Sequence, residues 1–542
     1  MNKLKMVSTE KILVAVLLIV LFFTVIINFQ VSRNLLDDDA ASEMMLANLL
    51  YKEKTLFSDN WCYYSEAILY NQIIFSFLFN FFDGWANVRF FGTCLIQLIY
   101  LLSFVYMMSQ SGLRRDAQLL GAVLIMLPFC VSYGRLFLYH CFYIPKLAPG
   151  FLIIGVFFSF LKNDKSGRFP QIFRLIILSV LIFLNCALFV RQMVVSIFPV
   201  IGCLFFYLLA QSGSDGTPYR KWMLIPIIMA LIGLAGFYFN SKIVIPALSL
   251  YGQSGQKLNL LHPQFWEPIL QAFLYQFGFR SQVIIFSPVG ILSIGGLFCA
   301  VVFIIWSVQN LVHAKKDFRL FILGAMMPVS MIINIFVFIF GEVPFRLQMD
   351  YSRYLAQASV WCVPLLCCRV HSREKFPSIR KFIYILCLTI FVLNSFYNGF
   401  SFLHPENFDQ LYDGLAYTNP HLVKDLQSAI EYIKVHDYSY GYAFAGEANT
   451  MVEVMNGLPV VSLRRTPDRV LEYTNWLSVK SYKTIQSDRA FFLMTANDEI
   501  YYQDTLEEIG IEKVYFDDNG YVIYDVSNID SFRKFIREPI VE

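Results

Sequence analysis

Three consecutive carboxylates, Asp37, Asp38 and Asp39, stand within about ten residues of the end of an apolar run, Ile12 to Phe29, long enough to span a bilayer. Charge near a membrane is costly, and three like charges repel one another as well. A chain bears that cost where a cation, a proton or a polar substrate is handled. Glu43 follows four residues after Asp39, so on a helix the two share a face. A carboxylate at the positive end of a helix is stabilised as an anion, the form a general base needs. An N-cap accounts for Asp37 or Asp38; it requires neither three acids nor Glu43.

Cations form a second set: Arg135, His140, Lys146, Arg191, Arg280, Arg346 and Arg353. Arg191 sits in Phe189-Val190-Arg191-Gln192-Met193, between two apolar runs with almost no loop, and Arg353 in Asp350-Tyr351-Ser352-Arg353-Tyr354. A guanidinium at a membrane face suits bidentate phosphate binding; snorkelling to lipid headgroups is the other use of such residues. A third set is Asp59, Asn60 and Trp61 with Tyr63, Tyr64 and Glu66. Its aromatic rings suit sugar stacking or an interfacial belt.

The elements that must position these residues are mostly membrane spans. Of 542 residues, 57% are hydrophobic and only 15% charged, against about 25% charged in soluble domains. Apolar runs near 12–29, 86–108, 117–133, 147–161, 175–190, 194–210, 222–240, 284–306, 320–340, 355–370 and 382–400 predict about eleven transmembrane helices. The first is expected to remain uncleaved, being too long for a signal-peptide core. Clusters at Arg114–Arg115, Lys162–Arg174, Arg220–Lys221, Lys315–Arg319 and Arg373–Lys381 fall on alternate loops with the basic N-terminus, which places that side in the cytoplasm. The acid motif (in a first outer loop at 31–85), the cation set and everything after residue 400 then face outward. An amphipathic helix is expected from Asp38 to Leu50, with Ala40, Met44, Ala47 and Leu50 on one face. Interfacial helices are expected at 66–82 and 263–279.

Residues 401–542 turn polar. Helix patterns at 420–436, 447–456 and 498–509 alternate with strand-like runs at Tyr440–Ala445, Leu458–Leu463, Phe491–Thr495, Lys513–Phe516 and Tyr521–Val526, which predicts a small α/β domain. Two domains follow: a transmembrane module over 1–400 and an extracytoplasmic domain over 401–542. Several classes of function are disfavoured. A net charge of +3 does not suggest nucleic acid. None of the 11 cysteines has structural-zinc spacing, and the last domain carries no G-x-G-x-x-G, P-loop or H-E-x-x-H motif.

The order of these motifs resembles GT-C-fold glycosyltransferases of the bacterial cell envelope. Asp37, Asp39, Ser42 and Glu43 resemble their D-x-D-x-x-S-E pattern, and Ser58 to Ser65, with Cys62 intervening, resembles an S-x-N-W-Y-Y-S stretch. Tyr143 to Lys146 resembles a Y-I-P-basic element. Arg191, Gln192 and Pro199 resemble R-Q…P, and Arg353, Tyr354 and Leu355 resemble R-Y-L. Gly441-Tyr442-Ala443 and Asn456-Gly457 resemble G-Y-A…N-G. The resemblance implies a polytopic α-helical membrane protein with a C-terminal extracytoplasmic α/β domain, in the bacterial cytoplasmic membrane with a cytoplasmic N-terminus. It implies inverting hexosyl or pentosyl transfer from a polyprenyl-phosphate sugar to a hydroxyl on an envelope glycan or lipid acceptor. Asp37, Asp39 and Glu43 would be catalytic. Arg191, Lys146, Arg353 and Arg280 would bind the donor phosphate. Asp38, Trp61, Tyr63, Tyr64, Glu66, Gln192 and Tyr354 would contact sugar or acceptor. No cofactor is required, although Asp37 and Asp39 could hold Mg²⁺ or Mn²⁺. A transporter or flippase of lipid-linked sugars, or a non-catalytic envelope assembly protein, are the alternative readings. A transporter would place its charges at mid-membrane and show internal repeats.

Overall fold

The computed structural model describes residues 2–63, 70–162, 168–189, 191–211, 220–248, 266–281, 283–312, 317–340, 348–371, 378–404 and 421–539. The chain forms two compact units, each assembled from separated stretches. One, the membrane body, comprises Met1–Ile27, Cys94–Val244 and Gly255–Tyr417. The other, the sheet body, comprises Asn28–Thr93, Ile245–Ser254 and Thr418–Glu542. The sheet body therefore takes in the first acidic loop instead of beginning near residue 401.

Among the described residues, eight helices are long and apolar enough to cross a membrane, from Thr9–Asn34 to Ser378–Leu403. The protein is a multi-pass membrane protein. Two of the expected spans are broken. The run near 117–133 is split into Arg115–Ile125 and a short helical turn at Val131–Tyr133, because Pro128 disfavours helical geometry in the residue before it. The run near 355–370 is split into Gln348–Ser359 and Cys362–His371. The run near 194–210 opens as a wide turn over Met193–Ile197, in which the Phe198 amide donates to the Met193 carbonyl. Pro199 has no amide to give Val195, and a π-turn is a way to accommodate that gap. A second wide turn, Gly134–Tyr139, carries Arg135 in what the sequence suggested was an open loop.

A polar cluster inside the membrane body fixes the start of the Gln348–Ser359 helix. Gln276 Nε2 donates to Ser352 Oγ at 2.7 Å, Ser352 Oγ meets Ser132 Oγ at 2.7 Å, and Ser359 Oγ donates to Gln276 Oε1 at 3.4 Å. Buried polar side chains persist when they satisfy one another in this way.

In the sheet body, helix α1 (Asn2–Asn34) ends at β1 (Leu35–Leu36), which pairs antiparallel with β2 (His421–Leu422). Helices α2 (Asp38–Glu53), α3 (Tyr70–Leu78) and α4 (Trp85–Gln110) follow. A mixed sheet is built from β3 (Gly441–Phe444), β4 (Val460–Arg464), β5 (Leu471–Tyr473), β6 (Ala490–Thr495), β7 (Glu512–Phe516), β8 (Tyr521–Val526) and β9 (Ile536–Arg537), in the order β7-β8-β6-β3-β4-β5-β9. Strands β3, β4 and β6 run parallel, with Gly441 opposite both Val460 and Phe491. A side chain at Gly441 would lie 2.3 Å from the Phe491 ring, which accounts for glycine there. The expected strands appear within about two residues of their predicted ends. The expected helix at 498–509 is two helices, Ala496–Tyr501 and Gln503–Ile509, the first closed by a Thr495–Asp498 capping box.

Helix α2 departs from a one-faced amphipathic helix. Ala40 through Ala47 are all buried, as is Leu50. It packs on α3 and on the Ala448–Val454 helix, so two faces must be apolar or satisfied rather than one.

Candidate functional site

The acid motif opens α2. Asp37 is the N-cap: its backbone is extended, and its Oδ1 accepts the Ala40 amide at 2.7 Å. Ser42 Oγ donates to the Asp39 carbonyl at 2.6 Å, which tightens the first turn. Asp38 is half-buried, but its Oδ1 is sealed from solvent and has no hydrogen-bond partner. The Asn449 amide faces the same carboxylate. Burial, then the neighbouring charges of Asp39, Glu447 and Asp37, push Asp38 up to about 8. This carboxyl holds its proton near neutrality, as an acid does when desolvated beside like charges.

Glu43 lies one turn further along α2 and is buried. Asn71 Nδ2 donates to its two oxygens at 3.2 and 3.4 Å. Burial pushes it up to about 8 against the pull of Arg89 and Asn71. Close by, Arg89 donates through Nε to Glu453 Oε1 and through Nη2 to Glu453 Oε2, both at 2.5 Å. The same Nη2 also reaches the Ala40 carbonyl at 2.8 Å. Glu43 is thus part of the packing that seats α2, a role the sequence did not reveal.

Trp61 and Tyr63 are 2% and 3% exposed. The stretch around them is stitched to the edge of the α/β domain. Cys62 donates to the Ser478 carbonyl, Leu477 to the Cys62 carbonyl and Lys480 to the Asn60 carbonyl, at 2.9, 3.0 and 2.8 Å. Asn60 is bonded to Ser481 through both its amide oxygen and its amide nitrogen. The expected stacking platform is here a seam: a ring this buried offers no face to a sugar. Tyr64 and Glu66, of the same set, lie outside the described residues, as does Arg346.

The membrane body gathers the cations. The Arg191 guanidinium lies over the Tyr354 ring at 5.0 Å, and Lys146 Nζ over the Tyr143 ring at 4.4 Å. The helix carrying Lys146 (Ile144–Lys162) packs against the Gln192 turn at Gly150, where a methyl would sit 3.6 Å from Gln192 Nε2. Gln192 donates to Ser196 Oγ at 3.0 Å, and its own Oε1 is buried without a partner. Arg353 precedes Tyr354 on the helix that Ser352 anchors. Four sequence candidates, Arg191, Gln192, Arg353 and Tyr354, thus belong to neighbouring elements, with Lys146 on a third. Arg280 differs. It donates to Asn398 Oδ1 at 2.8 Å and to the Gly278 carbonyl at 3.3 Å, and lies over the Tyr397 ring at 4.6 Å. Those bonds hold it on the Ser378–Leu403 helix.

Sequence reasoning missed Arg89, Glu447, Asn449, Glu453, Arg465 and Asp498. Arg89 carried a usable signal, a charge inside an apolar run. The others carried none: no local pattern marks a partner 18 or 33 positions away, as for Arg465, or 364 away, as for Glu453.

The described residues contain no group of three or more His, Cys, Asp or Glu arranged to hold a metal. Asp37 Oδ1 already accepts the Ala40 amide in the helix cap.

No protein-family model and no curated protein matches the chain. Two solved structures are similar along most of it. ArnT from Cupriavidus metallidurans in the apo state is 12% identical, covers 98% of this chain and 99% of its own, and has a TM-score of 0.46. The oligosaccharyltransferase AglB from Archaeoglobus fulgidus, in complex with an inhibitory peptide and a dolichol-phosphate, is 10% identical, covers 95% of this chain and 74% of its own, and has a TM-score of 0.45.

Proposed function

We propose that this protein is an inverting glycosyltransferase, moving a sugar from a polyprenyl-phosphate donor to an acceptor hydroxyl on a cell-envelope glycan or glycolipid at the outer face of the bacterial cytoplasmic membrane. The observation that carries the reading is the acid motif. Its carboxylates are differentiated: Asp37 Oδ1 serves the helix cap, and Asp38 is pushed up by burial. Proton abstraction is assigned to Asp39, the second acid of the D-x-D pattern. Carboxylates separated into roles by their environments are what general acid–base chemistry needs.

In this reading the acceptor oxygen bonds to the anomeric carbon as the carbon–oxygen bond to the lipid phosphate breaks. Asp39 takes the acceptor proton. One displacement inverts the anomeric centre. The leaving phosphate needs a cation, for which the sequence motifs offer Arg191 first, then Lys146 and Arg353. A guanidinium placed where negative charge develops is a strong contributor to such a step.

The test is transfer from a labelled polyprenyl-phosphate sugar in membranes, comparing wild type with Asp37→Asn, Asp38→Asn and Asp39→Asn. Loss of turnover in Asp39→Asn with substantial turnover in Asp37→Asn is expected. Full turnover in all three variants would overturn the base assignment.

A further inference from the structure

The chain leaves β3 through Gly446, whose φ of +111° suits glycine, and then presents Glu447, Ala448 and Asn449. Strand β3 is where the connections reverse: β4 is added on one side and β6 on the other. In open α/β sheets the crevice at the carboxyl ends of such strands is where ligands sit. Here the same end faces the first turn of α2: the Ala448–Val454 helix packs on α2, which brings Glu447 and the Asn449 backbone to Asp38.

Arg465, just past β4, ties this end together. Its Nε donates to Asp498 Oδ1 at 2.7 Å and its Nη2 to Asp498 Oδ2 at 2.9 Å. Nη2 also reaches Glu447 Oε2 and Oε1 at 3.1 and 3.2 Å, and Nη1 reaches the Ala445 carbonyl at 2.8 Å. Asp498 is itself fixed by Thr495 Oγ1 at 2.7 Å in the capping box of the next helix. The guanidinium lies 5.0 Å over the Phe444 ring. Glu447 is 4% exposed, so without Arg465 its charge would be buried unpaired and the turn would move to hydrate it.

We infer that Arg465, clamped between Asp498 and Glu447, is a positioning residue for the acid motif. It holds the Gly446–Asn449 turn, and the helix that follows it, against the first turn of α2. Arg465 touches no reacting atom. Its effect passes through Glu447 and the turn to the carboxylate, as a supporting shell orients a reactive group. The inference rests on the transferase reading for its kinetic readout only.

Two measurements on the full-length protein test it. The first is labelling by a water-soluble carbodiimide and an amine, with Asp38 followed by mass spectrometry. Arg465→Ala and the isosteric Glu447→Gln should raise Asp38 labelling severalfold, because the cover over it loosens. Arg537→Ala, which breaks an ion pair with Asp468 and Glu472 elsewhere in the same sheet, should leave it unchanged. The second is transfer kinetics. Arg465→Ala should lower kcat by about 10²-fold with donor KM nearly unchanged, because Asp38 shares the first turn of α2 with Asp39, the base of the proposed transfer. Arg465→Lys should recover part of the loss. Wild-type labelling of Asp38 in both Arg465→Ala and Glu447→Gln would overturn the inference, as would equal effects of Arg465→Ala and Arg537→Ala. Raised labelling in a protein that transfers no sugar would uphold the positioning and overturn the transferase reading.

Discussion

Arg89 and Glu453, 364 positions apart, form a doubly bonded ion pair at 2.5 Å with side chains only 1% and 2% exposed. The pair fastens the start of α4 to the Ala448–Val454 helix of the α/β domain, and the second bond from Arg89 Nη2 to the Ala40 carbonyl includes α2. Removing one partner strands a buried charge. Glu453→Ala should therefore cost about 3–5 kcal/mol, read as a lower melting temperature of the purified protein. The double variant Arg89→Met/Glu453→Met should recover much of that loss. Equal melting of single and double variants would contradict the pairing.

The cap and the chemistry of Asp37 can be separated. Asp37→Ala should cost about 1 kcal/mol of stability through the lost N-cap. Asp37→Ser restores a capping oxygen without a carboxylate. Near-wild-type melting together with substantial transfer in Asp37→Ser would assign Asp37 to the helix and not to proton transfer.

Stability should fall as pH rises. Asp38 and Glu43 are both raised to about 8 in the folded protein, from ordinary values of 3.8 and 4.5. Between those limits the folded state keeps protons that the unfolded chain releases, so unfolding liberates protons and is favoured by higher pH. The contribution is fully present below about 4 and lost as pH passes through about 8. Melting temperatures across this range should decline in wild type and decline less steeply in Asp38→Asn and in Glu43→Gln. Unaltered slopes in both variants would refute the sealed environments.

Trp61 divides the seam from a sugar platform. Trp61→Ala should cost about 3–5 kcal/mol for a fully buried indole and expose the 58–63 segment to protease. Trp61→Phe should keep acceptor KM unchanged while lowering stability modestly. A large KM change with unaltered melting would return Trp61 to the substrate.

Arg191→Lys keeps charge but loses the planar fork and its stacking on Tyr354. If Arg191 bears the donor phosphate, Arg191→Ala should reduce transfer by about 10²-fold or more, with Arg191→Lys intermediate. Full transfer in Arg191→Ala would remove it from the phosphate site.

Much was legible in the amino-acid order. Apolar runs of bilayer length announce the spans, because hydrocarbon demands about twenty apolar residues whatever packs around them. The strands Gly441–Phe444, Ala490–Thr495 and Tyr521–Val526 are visible as apolar, β-branched and aromatic runs. Asp37 at an N-cap is local chemistry within three residues. Tertiary structure alone decided what became of the side chains. Asp38 Oδ1 is closed off from water because a helix some four hundred residues later packs on α2. Trp61 is a seam because the 477–481 segment happens to offer matching amides and carbonyls. Arg465 finds Glu447 and Asp498 only after the sheet has brought β3, β4 and β6 side by side. Periodicity records which face of an element avoids water; it carries no address for the residue on the other side of the contact, and burial and pairing, the terms that set a carboxylate's proton affinity, are properties of that other side.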